Sequence, residues 1–287
     1  MELKKFVEIA RPLGVLGVKV TQNDNLIAQW HSEGECRRNV YSVTKSFTSC
    51  AVGFALQEGI LSLDEKLVDA FQKDLPKTVP DNLKKATVRD LLTMHLGQEE
   101  PALMGDQRPL YEEDDWVKLS LSFPFTYEPG THFLYNNVGP YLAGVLVQRR
   151  SGCDLVSYLT PRLFSHLGIK RPTWESDPLG NSFGSGGLFL TLSELHKFGL
   201  FYLNKGKWEG KQLLSPEWVE ESTRQYADAP YAYLFWRGKY NSYRADGKYS
   251  QYSIVFPDQA AVVSLVSECR KGEELMDAIY GEICPQL

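Results

Sequence analysis

The sequence predicts an α+β fold: one antiparallel β-sheet built from both chain ends and flanked by helices, with a mostly helical domain inserted between. Three observations predict it. Strand-like runs stand near the start (16–20, 26–30) and again near the end (240–245, 251–256, 260–266), whereas helical periodicity fills 61–174. The 287 residues are 43% hydrophobic, enough for one large core. The expected division is 1–60 and 185–287 for the sheet-bearing part and 61–184 for the helical insert, one compact unit overall.

Residues 2–10 break their apolar positions with charges at helical spacing, which predicts a short amphipathic helix. The runs 16–20 and 26–30 are separated by Gln22-Asn-Asp-Asn, turn chemistry that predicts a hairpin. Val43, Phe47, Cys50, Ala51 and Phe54 then recur at helical spacing and Gly59 supplies a stop, which places Ser42 at a helix N-terminus. Further helices are expected over 88–94, 116–120, 139–150, 155–167 and 193–203. After the three late strands, an amphipathic segment over 273–283 closes the chain.

The formal net charge is −5, with Lys and Arg scattered, so nucleic acid is not an expected partner. No apolar run is long enough to span a membrane, and the start has no apolar signal-peptide core, so a cytoplasmic location is expected. The five cysteines (Cys36, Cys50, Cys153, Cys269, Cys284) are odd in number and form no CxxC pair. They read as reduced thiols, with Cys50 in the core. His31, His132, His166 and His196 lack metal-ligand spacing, and His95 reads as structural; no metal and no cofactor are expected.

Chemistry concentrates at Ser42-Val-Thr-Lys45, the one S-x-x-K in the chain. On a helix, positions i and i+3 share a face, so the lysine amine can reach the serine hydroxyl, and a helix N-terminus favours an oxyanion. Burial would depress the amine toward a neutral base. A second serine lies in Gly180-Asn-Ser-Phe-Gly184, which fits the G-x-S-x-G elbow. That elbow needs a strand before it and a helix after it, and the flanking residues suit neither.

Five stretches in order extend the first motif: Tyr41-Ser-Val-Thr-Lys-Ser-Phe-Thr, Gln57-Glu-Gly-Ile-Leu-Ser-Leu-Asp-Glu, Ala86-Thr-Val-Arg-Asp-Leu-Leu-Thr, Glu128-Pro-Gly-Thr-His-Phe-Leu-Tyr-Asn-Asn and Gly186-Gly-Leu. In these the chain resembles the β-lactamase and penicillin-binding protein superfamily, most closely the class C β-lactamase-like branch of peptidases and esterases. The resemblance implies the β-lactamase/transpeptidase-like fold and a serine hydrolase working through an acyl-enzyme. It implies Ser42 as nucleophile, Lys45 as its partner and Tyr135 of Tyr-x-Asn as proton shuttle, with Lys45 holding its phenolate character. Asn137 would hold the substrate amide or the lysine. The third motif falls at Ala245-Asp246-Gly247, where only the glycine matches. Gly247 would let substrate lie along the strand, and the Lys248 amide would join that of Ser42 as an oxyanion hole. The cation and hydroxyl that would meet a substrate carboxylate are missing there unless Arg244 or Lys248 substitutes. A small-molecule ester, amide or short peptide is the expected substrate. The alternative is a non-catalytic penicillin-binding or ligand-sensing module that kept the fold.

Overall fold

The first helix, α1 (Lys4–Ala10), turns Phe6 and Ala10 inward and leaves its charged positions in solvent. In this computed structural model, which describes residues 1–287, it packs on the back of the sheet. Strands β1 (Val15–Gln22) and β2 (Asn25–His31) follow as a hairpin whose turn residues Asn23 and Asp24 take positive φ, the conformation that Asn and Asp tolerate best after glycine. Then come α2 (Thr44–Gln57), α3 (Val88–Thr93) and α4 (Val138–Ser151). Helices α2 and α4 are buried over most of their lengths, so neither presents a broad face to solvent.

Helix α5 (Leu192–Leu203) opens with a capping box between Thr191 and Glu194, and α6 (Pro216–Thr223) is capped by Ser215 with Pro216 in its first turn. The rest of the sheet follows as β3 (Trp236–Arg237), β4 (Tyr243–Gly247), β5 (Gln251–Phe256) and β6 (Ala261–Ser267), and α7 (Gly272–Ala278) closes the chain. The strand order is β2-β1-β6-β5-β4-β3, antiparallel at every pairing, and β1 pairs with β6 from Val15↔Ser267 to Gln22↔Ala261. Two ends of the chain therefore share the middle of one sheet.

Alternation along the strands sorts side chains to two cores. Val18, Val20, Val263 and Leu265 pack with Phe6, Leu275 and Ile279 of the terminal helices, whereas Val255 and Val262 face a larger core shared with α2, α4 and α5. The strand expected over 240–245 begins at Tyr243, because Tyr240 and Asn241 both adopt positive φ and belong to the preceding turn. Ser182 is no elbow nucleophile: it lies in an isolated bridge, its hydroxyl accepts the Leu155 amide at 3.2 Å and it is buried. No helix is long and apolar enough to cross a membrane.

Candidate active site

Ser42 sits in a 3-10 turn (Tyr41–Val43) that runs directly into α2. Tyr41 takes φ 49°, and its amide donates to Asn39 Oδ1 at 2.8 Å, which fixes the turn that presents the serine. One helical turn on, Lys45 is fully buried beneath it. Its Nζ lies 2.9 Å from Ser42 Oγ, 2.7 Å from Asn137 Oδ1 and 2.8 Å from the Ser185 carbonyl. Burial, helped by the positive charge of Arg108, lowers the Lys45 pKa to about 7. Two of the three contacts are carbonyl oxygens, which only accept. They take two hydrogens of the amine, and in the neutral form its lone pair is left facing Ser42.

Asn137 is held in turn. Its Nδ2 donates to the Leu103 carbonyl at 2.8 Å, and Ser185 Oγ donates to the Asn137 carbonyl at 2.5 Å. Of the two tasks expected for Asn137, its amide oxygen performs the one directed at the lysine. The Tyr135 phenol lies beside the Ser42 hydroxyl, and its ring centroid is 5.1 Å from Lys45 Nζ and 5.4 Å from the Trp236 ring. Burial pushes this phenol above its ordinary value, so it rests protonated. That direction favours the neutral phenol over the expected phenolate.

Ser42, Tyr135, Asn137 and Ser185 line a cleft of about 830 Å³, which also takes in Arg108, Glu175, Trp236, Arg244, Asp246, Gly247 and Lys248. The backbone amides of Ser42 and Lys248 donate to no protein acceptor. Gly247 has a packing reason beside the expected one: a Cβ there would collide with the Val40 carbonyl oxygen, so the glycine lets β4 close onto the segment before Ser42. Ala245 is buried in the larger core and does not face the cleft. Arg244 lines the cleft but is paired, its Nε donating to Asp246 Oδ2 at 2.8 Å. Burial raises the Asp246 carboxyl, and Arg244 opposes that rise.

Sequence reasoning missed Ser185, Arg108 and Trp236. Ser185 acts through a backbone oxygen, which has no residue signature, although it precedes the Gly186-Gly-Leu stretch already singled out. Arg108 opens a short 3-10 turn (Arg108–Leu110); its Nη1 is 3.6 Å from Glu175 Oε2 and its guanidinium lies 4.5 Å from the Phe183 ring centroid. His95 Nδ1 donates to the Thr93 carbonyl at 2.7 Å and the ring packs edge-on against Phe133 and Tyr226, in keeping with a structural part.

The family model described as Beta-lactamase matches residues 18–282. A candidate 6-aminohexanoate-dimer hydrolase from Bacillus anthracis superposes with a TM-score of 0.82 at 20% identity, over 99% of this chain and 81% of that one. The penicillin binding protein from Bacillus halodurans gives 0.75 at 18%, over 97% and 99%. Among curated relatives, an uncharacterized protein of Alkalihalophilus pseudofirmus is 24% identical over 248 residues, 76% of this chain and 66% of that protein. The lovastatin esterase of Penicillium rubens is 27% identical over 150 residues, 45% of this chain and 37% of the esterase. The matches thus span about two thirds or less of these curated relatives.

Proposed function

Because this chain belongs to the Beta-lactamase family, we propose that it is a serine hydrolase that cleaves a small ester, amide or short peptide through an acyl-enzyme. The observation that carries this reading is the Lys45 amine, 2.9 Å from Ser42 Oγ and anchored on its other side by two carbonyl oxygens. With its pKa near 7 the amine can accept the serine proton at neutral pH.

In this mechanism Ser42 Oγ bonds to the substrate carbonyl carbon as its proton passes to Lys45 Nζ. The oxyanion is received by the amides of Ser42 and Lys248. As the bond to the leaving group breaks, the protonated Tyr135 gives its proton to the departing oxygen or nitrogen and is reprotonated from Lys45. Water then adds to the acyl carbon, its proton leaving by the same route, and the acid departs with Ser42 restored. Asn137 and Ser185 hold the lysine in place throughout.

The test is covalent. A fluorophosphonate probe should label the wild type at Ser42, as read by peptide mass, and should leave Ser42→Ala unlabelled. Hydrolysis of p-nitrophenyl butyrate should fall at least about a hundredfold in that variant. Absence of labelling would leave a module that binds without turnover.

A further inference from the structure

The wall that β4 gives to the cleft carries an acid. Arg244 and Asp246 are two residues apart on a strand and share a face, the one lining the cleft, while Tyr243 and Ala245 are buried on the other. Asp246 Oδ2 is taken by Arg244 Nε at 2.8 Å, and Oδ1 has no hydrogen-bond partner in the protein. The side chain is only 22% exposed. A carboxylate oxygen so placed gains from any donor that a ligand brings.

Beside it stand the rings of Tyr135 and Trp236, stacked 5.4 Å apart and both lining the cleft. Aromatic faces next to a carboxylate favour an ammonium group over a neutral or anionic one. Arg244, 6.0 Å over the Trp236 ring, cancels one charge of this wall, so the net gain is that of one charge-assisted hydrogen bond to Oδ1. Of the two cations that could instead draw an anion, one faces an acid and the other, the exposed Lys248, makes no ion pair. Arg108 lies 3.6 Å from Glu175, and Lys248 Nζ sits 5.2 Å over the Tyr249 ring.

We infer that Asp246 is a specificity-determining residue that binds a primary ammonium group of the substrate, making the substrate an amine-bearing ester, amide or short peptide. The substrate class rests on the hydrolase reading above; the binding preference is measured without turnover. Three probes of one shape suffice: phenethylammonium, phenethyl alcohol and phenylacetate, titrated by calorimetry into the wild type, Asp246→Asn, Arg244→Gln and the double variant. The wild type should bind phenethylammonium about tenfold tighter than the alcohol and phenylacetate weakest, a size in keeping with one charge-assisted hydrogen bond. Arg244→Gln should keep that order. Asp246→Asn and the double variant should lose it, the double variant removing any repulsion from an uncovered Arg244. Asp246→Ser serves if Asp246→Asn does not fold. A wild type indifferent to the three probes, or an ammonium preference surviving in the double variant, overturns the inference. A protein that shows the preference but hydrolyses no ester sinks the hydrolase reading alone, and one that hydrolyses neutral esters without the preference sinks only this one.

Discussion

Lys45 keeps two hydrogens on Asn137 and Ser185, and the third position decides whether Ser42 meets a proton or a lone pair. Activity should therefore follow its titration. Only the neutral amine can take the serine proton, so kcat/KM for a neutral ester should be low in acid and rise with pH through about 7 to a plateau, as read from initial rates across pH 5–9. A rate already level at pH 6 would assign the base elsewhere. Lys45→Ala and Tyr135→Phe should each lower kcat about 10²–10⁴-fold with KM near wild type, and the double variant should lose much less than the product of the two, because both act on one proton. The Ser42–Lys45 pair was legible because helical spacing alone brings i and i+3 together. Tyr135 and Asn137 were legible only through the resemblance, since 92 residues separate Asn137 from Lys45. No local pattern encodes a contact of that range.

Between elements, closeness depends on what is absent. A Cβ at Gly53 of α2 would overlap the Trp218 indole of α6, so the two helices meet where one has no side chain. Gly53→Ala should cost about 1–3 kcal/mol in denaturant unfolding, and Trp218→Leu in that background should recover part of the loss by vacating the space. If Gly53→Ala instead stabilised the protein, as alanine does in an open helix, the packing account would fail. Helix α6 itself went unread: its buried face carries only two apolar side chains, Trp218 and Val219, beside Ser222 and Thr223, although Ser215 followed by Pro216 is an N-terminal signal in its own right. The start of β4 was misplaced for the opposite reason. Tyr240 looks like a strand residue by composition, but it and Asn241 take positive φ and form a turn, and Asn241 was the one residue type there that signals it.

Across the whole molecule, a buried polar seam ties the first strand to the last through α5. His196 contacts Thr21 at 2.6 Å and Ser264 at 3.0 Å, and burial, with Lys19 adding, lowers its pKa to about 3. Its folded value lies below the unfolded one, so the unfolded chain binds the extra proton between about pH 6.5 and 3 and stability falls on acidification through that window. At pH 4.5 the loss should be about 2–3 kcal/mol, and His196→Gln should flatten the fall in Tm between pH 7 and 4.5. An unchanged slope would show that the histidine is not the group responsible. The pairing of Val15 with Ser267 sets one more condition, this time on birth. A ribosome making about 5–20 residues per second holds the first hairpin for roughly ten seconds or more before its central partner strand exists. Until then Ser42 and Lys45 have no β4 wall to face. The nascent chain thus carries Ser42 and Lys45 early, and the wall that completes their cleft joins them only once the late strands of the sheet have been made.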